Sequence, residues 1–134
     1  ERGFAEVRLC PDHAFGIRAG ETRAYFFLEA DQESMPLVRR NEKQSSILEK
    51  LEGYVATIEG KIHEQKFQMH SFRVLFSTKS EGRVLNMIKV VQERIPQRYQ
   101  RHFLFAVAED LRESGVTAYE FWTGRGERIR LALE

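Results

Sequence analysis

A chain of 134 residues that is 42% hydrophobic and 31% charged is long enough for one unstapled core, because folding at this size hides roughly two-thirds of the unfolded surface. The same balance excludes the low-hydrophobicity, high-net-charge disordered class, and no apolar run reaches the roughly eighteen residues of a membrane span. With 21 Lys and Arg against 20 Asp and Glu, the net charge of +1 neither requires nor forbids a polyanionic partner. The single cysteine, Cys10, rules out an internal disulfide and a Cys-built zinc site and favours a reducing, cytoplasmic setting. The opening Glu1-Arg2-Gly3-Phe4 has neither an initiator Met nor a signal-peptide pattern, so the chain is expected to be one domain of a longer protein.

In chain order, residues 12–18 and 23–28 are short aromatic and β-branched runs around Ala19-Gly20-Glu21-Thr22, which predicts a hairpin with Gly20 in the tight turn. From about Leu37 the period becomes helical. Ile47, Leu48, Leu51, Tyr54, Val55, Ile58 and Ile62 form one amphipathic face. That helix is expected to run to the neighbourhood of Glu64, with Pro36 in its first turn and Gly53 and Gly60 as weak points. Phe72 to Phe76 predicts a strand, and Glu81 to Arg94 a helix capped by Ser80 and ended before Pro96. His102 to Ala108 is a second buried-strand pattern, and the tail from Thr117 to Leu133 predicts two short strands around Gly124-Arg125-Gly126. The order β-β-α-β-α-β with a β tail, and the nearly all-apolar later strands, predict an α/β (α+β) domain: a mixed β-sheet flanked by helices. No repeat, low-complexity tract or linker divides it.

Chemistry concentrates at the hairpin. Counting outward from a Gly20-Glu21 loop puts Asp12 opposite Glu29, and Asp31 falls on the same sheet face if the strand continues. Three acids on one face destabilise a sheet unless compensated. A divalent cation such as Mg²⁺ suits Asp12, Glu29 and Asp31 as oxygen ligands. The alternative is that Asp12 serves a turn at Pro11 and Asp31 opens a solvated loop. Lys43, Ile47, Lys50 and Tyr54 lie along one edge of the helix stripe, so Lys43, Lys50 and Tyr54 project toward the surface the stripe covers. A lysine held there stabilises developing phosphate charge, or simply snorkels to a nearby acid. Arg39, Arg40 and Lys43 cluster near the helix start, as a phosphate site or a solvated face. His63 and His70 lack a third ligand, and Tyr119, Phe121 and Trp122 alternate as strand core.

Cys10-Pro11-Asp12 through Ile17, Phe26-Phe27-Leu28-Glu29-Ala30-Asp31, Met35-Pro36, and Lys50-Leu51 with Tyr54 together form a pattern that resembles the replication-relaxation family of bacterial and plasmid proteins. Ile62-His63, Phe67, His70, Phe72-Arg73-Val74-Leu75 and Trp122-Thr123-Gly124-Arg125-Gly126 extend it over nearly the whole chain. The resemblance implies a C-terminal domain with a restriction-endonuclease-like core, preceded in longer members by a winged-helix DNA-binding region. Nucleases of that core carry Pro-Asp, a spacer, then Asp or Glu, any residue, and Lys. Pro11-Asp12 and Glu29 match, whereas Asp31 stands in the lysine position. Lys50, which fits the family's Lys-Leu-x-x-Tyr pattern, is the candidate replacement, and Lys43 is second.

The implied function is a Mg²⁺-dependent nuclease-like domain, with Mn²⁺ as substitute, acting on DNA in plasmid or mobile-element replication or transfer. Asp12, Glu29 and Asp31 would hold the metal, Lys50 would orient water or stabilise the phosphorane-like charge, and Tyr54 would hold Lys50 or a phosphate. The alternative is a catalytically inactive nuclease-fold module that binds DNA or a replication protein, for which Asp31 in the lysine position speaks. Homodimerisation through the aromatic tail is compatible with both.

Overall fold

The computed structural model describes residues 13–19, 22–31, 46–60 and 72–131. Two strands open the chain, β1 (His13–Ala19) and β2 (Thr22–Ala30), paired antiparallel from His13↔Leu28 to Ala19↔Thr22. This is the register expected from a two-residue connection at Gly20 and Glu21, and Asp12, the next residue outward, lies outside the described residues. Helix α1 (Ile47–Gly60) follows, then β3 (Arg73–Thr78), α2 (Glu81–Arg94), a 3₁₀ helix (Gln97–His102), β4 (Phe103–Val107), α3 (Ala108–Ser114), β5 (Phe121–Thr123) and β6 (Arg128–Ile129). The segments 32–45 and 61–71, which hold the expected start and end of the long helix and also Arg39, Arg40, Lys43, His63 and His70, lie outside the described residues.

The strands lie side by side in the order β1-β2-β3-β4-β5-β6. β2, β3 and β4 run parallel, while β1 and the pair β5 and β6 add antiparallel edges. A parallel neighbour requires a crossover, and α1 and α2 supply the two that connect β2 to β3 and β3 to β4. Both helices cover the same face, as two crossovers of one hand stepping the same way across a sheet produce. Their buried residues, Ile47, Leu48, Leu51, Tyr54 and Val55 of α1 and Val84, Met87, Ile88, Val90 and Val91 of α2, pack with Phe27, Val74, Phe76, Phe103 and Phe105. The alternate residues Phe26, Leu75, Leu104 and Ala106 enter a second core with Tyr119, Phe121 and Leu131, backed by Leu28 and Leu111. Covering on both faces is why Val74-Leu75-Phe76 and Phe103–Val107 read as continuous apolar runs rather than alternating ones.

Local chemistry sets the ends of α2. The Ser80 hydroxyl accepts the Arg83 N–H at 3.2 Å, and Glu81 lies in the first turn and Arg94 in the last, each on the side the helix dipole favours. Ile95 closes the helix in extended conformation before Pro96. In α1 the buried Ser46 caps in the same way, its Oγ accepting the Glu49 N–H at 3.1 Å. Gly53 does not interrupt α1. The Thr57 hydroxyl donates back to the Gly53 carbonyl at 3.0 Å. Three elements depart from the sequence expectation: α1, which starts at Ile47 behind the non-helical cap Ser46 instead of running on unbroken from Pro36, the 3₁₀ helix, and α3, which begins at Ala108 where a strand end was expected. Among the described residues no helix is long and apolar enough to cross a membrane.

Candidate functional site

The carboxyl ends of β2 and β3 and the N-terminal turns of α1 and α2 converge on one edge of the sheet, the edge where open α/β sheets place their ligands. Glu29 is the penultimate residue of β2, in register with Phe76 of β3. Strand alternation carries its side chain to the helix-covered face beside Phe27, where it is only 3% exposed. A carboxylate taken out of water needs compensation, and α1 provides it. Lys50 Nζ lies 2.7 Å from Glu29 Oε1, and the Tyr54 hydroxyl donates to Oε2 at 2.5 Å. Lys50 and Tyr54 are one helical turn apart, so both reach the same carboxylate. The Tyr54 ring is fixed by aromatic neighbours, 5.8 Å from Phe27 and 6.3 Å from Phe72 between centroids, while Phe27 and Phe72 meet edge-on at 4.8 Å. The Lys50 side chain remains 31% exposed while that of Glu29 is only 4% exposed, so the lysine stands between the carboxylate and solvent.

Asp31, the next residue on this face, is held by a different set. Its backbone N–H donates to the Ser77 carbonyl at 2.7 Å, continuing the β2–β3 ladder one residue past the strand. Arg83 of α2 grips the carboxylate with Nε on Oδ2 at 2.9 Å and Nη2 on Oδ1 at 3.1 Å, and the Thr78 hydroxyl donates to Oδ2 at 2.7 Å. The side chains of Arg83 and Asp31 are 13% and 3% exposed. A planar fork on a carboxylate is the strong form of this pair. The crowding of acids on one face is thus relieved within the described residues by a cation from each helix.

The sequence-derived candidates therefore divide. Glu29, Lys50 and Tyr54 are brought into direct contact. Asp31 shares their face but turns both oxygens to Arg83, and a metal ion there would have to displace a guanidinium. Asp12, Arg39, Arg40 and Lys43 lie outside the described residues. Among those described, no three His, Cys, Asp or Glu residues group as a metal site. Tyr119 and Phe121 are core, edge-on at 4.8 Å, with the Tyr119 hydroxyl accepting the Val107 N–H.

Arg83 and Thr78 were not singled out from sequence, although each left a trace. A cation in the first turn of a helix opposes the dipole, so Arg83, three residues after the Ser80 cap, needs an acid to hold it. Alternation along β3 puts Thr78 on the face of Val74 and Phe76. In comparisons with protein-family models, curated proteins and solved structures, nothing matches the chain.

Proposed function

We propose that the chain is a nuclease-like domain acting on DNA in plasmid or mobile-element replication or transfer, with a restriction-endonuclease-like core. The observation that carries this function is the 2.7 Å approach of Lys50 from α1 to Glu29. It supplies, from the following helix, the lysine that the motif lacks at Asp31.

A divalent cation fits Glu29 by donor count. A carboxylate offers about four lone-pair sites, and Lys50 and Tyr54 take one on each oxygen. Asp31 fits less well, because three donors already take sites on its two oxygens and an ion there would have to displace the Arg83 fork. Glu29 and Asp12 would hold Mg²⁺ or Mn²⁺, and such an ion, when bound, supplies a water of lowered pKa and Lewis-acid stabilisation of phosphate charge. Tyr54 fixes the rotation of the Glu29 carboxylate. Lys50, paired on one side and exposed on the other, would donate to a phosphate oxygen as charge develops there. The Arg83 fork on Asp31 would keep the edge of β2 rigid and remove a second negative charge from the path of DNA.

Incubation of supercoiled plasmid with Mg²⁺ or Mn²⁺ is the test. Nicking by the wild type that is lost in Asp12→Ala and in Lys50→Met is the expected result. Equal inertness of wild type and Asp12→Ala on every DNA form overturns catalysis. The second reading, an inactive nuclease-fold module that binds DNA or a replication protein, is favoured by the closure of Asp31 under Arg83. Salt-dependent DNA affinity that survives loss of both Asp12 and Glu29 would then be found instead.

A further inference from the structure

At the opposite end of the parallel strands lies a surface cleft of about 470 Å³ lined by Gln97, Arg98, Arg101 and Arg125. The first three belong to the 3₁₀ helix that leads into the start of β4, and Arg125 belongs to the turn between β5 and β6. Glu29 and Asp31 lie at the finish of β2, so the cleft is separate from the acidic edge. Three of the four lining residues are arginines and none is acidic. Such a cluster suits bidentate recognition of phosphate rather than diffuse charge.

The walls of the cleft are fixed before any ligand arrives. Gly124 is pressed so closely on the 3₁₀ helix that a Cβ there would lie 2.3 Å from the Gln100 carbonyl oxygen and 2.8 Å from a Val91 methyl. Its N–H donates to the Phe103 carbonyl at 2.9 Å. The buried Gln100 amide donates to the Ile95 carbonyl at 2.9 Å, tying the 3₁₀ helix to the end of α2. Thr123 Oγ1 accepts the N–H groups of Arg125 and Glu127 at 3.1 and 3.3 Å, and Gly126, at φ +87°, closes the turn. Arg101 is forked onto Glu127 at 3.0 and 2.7 Å, and Arg98 sits 3.6 Å from Glu59. Arg125 forms no ion pair among the described residues. Exposed pairs such as those of Arg98 and Arg101 are weak because water screens both partners, so a phosphate displaces their carboxylates at little cost.

We propose that the cleft of Gln97, Arg98, Arg101 and Arg125 binds the phosphate backbone of DNA at a point separate from the acidic edge. The class of ligand rests on the DNA function proposed above, whereas the cleft requires no catalysis at Glu29. Fluorescence anisotropy with a labelled duplex and its single strand, across a salt series, tests it. Arg98→Gln and Arg125→Gln should each weaken binding roughly fivefold and flatten the log–log salt slope by about 0.9 per lost phosphate contact. Arg112→Gln, an exposed change of equal charge on α3, should leave both unchanged. Unaltered affinity and slope in the two cleft variants, with the wild type binding, overturn the cleft while leaving a DNA function in place. An equal loss in Arg112→Gln, or displacement of the DNA by polyglutamate at matched charge, also overturns it. Absence of salt-dependent binding by the wild type to either DNA form overturns the cleft and the DNA function together.

Discussion

Glu29 and Asp31 are two residues apart on one strand face, equally buried, and each is paired to one helix, yet their surroundings differ in kind. Glu29 meets a point charge on a flexible stem that stays partly in water, plus one hydroxyl on a ring clamped by Phe27 and Phe72. Asp31 meets a planar fork and a second hydroxyl, nearly sealed from solvent. A lysine withdraws from its carboxylate one bond at a time and finds water, while a guanidinium must break two aligned bonds together. The first acid is therefore built to exchange partners and the second to stay.

Substitutions that break each pair separate the two. The largest effect is expected from Arg83→Met, which leaves Asp31 buried without its cation and should cost about 3–5 kcal/mol in urea unfolding. The double change Asp31→Asn with Arg83→Met should recover part of that loss. Lys50→Met should cost less, about 1–3 kcal/mol, because solvent reaches Glu29 where the lysine stem was. If Lys50→Met proves as damaging as Arg83→Met, the contrast between an exchangeable and a fixed acid fails. Tyr54→Phe keeps the aromatic packing and removes one donor, so about 1 kcal/mol is expected.

The smallest effect concerns an exposed carboxylate. The Arg101 fork on Glu127, reinforced by Thr123 and Arg125, holds its carboxyl below the usual range. A depressed folded value means that the contribution is present above the unfolded-state value and fades as pH falls through the folded one. The melting-temperature advantage of wild type over Glu127→Gln should accordingly be small at neutral pH, vanish in acid and shrink in high salt. An advantage that grew on acidification would contradict the pairing.

Much of this arrangement is written locally. The hairpin register follows from a two-residue turn, the limits of α2 from Ser80 and Pro96, and the meeting of Lys50, Tyr54 and Glu29 from helical spacing set against strand alternation. The Arg83 partnership was not legible because it joins residues 52 apart, and no period in the sequence links a helix's first turn to a particular strand end. Helix α3 was missed for another reason. Its seven residues bury none of their own number, so no apolar stripe announces it, and a helix this short is marginal without its neighbours. The 3₁₀ helix holds only Gln100 buried, a polar residue that hydrophobic periodicity cannot detect.

Every described strand lies beside its neighbour in the chain, and this gives the two acids different histories during synthesis. The partner of Glu29 follows 21 residues later, on α1, whereas that of Asp31 follows 52 residues later, after β3 is complete. A nascent chain that has made α1 can seal Glu29, but it cannot seal Asp31 until α2 emerges. The Arg83 fork is in effect a latch that closes only after α2 has been made, whereas the contact of Lys50 with Glu29 needs no residue beyond α1.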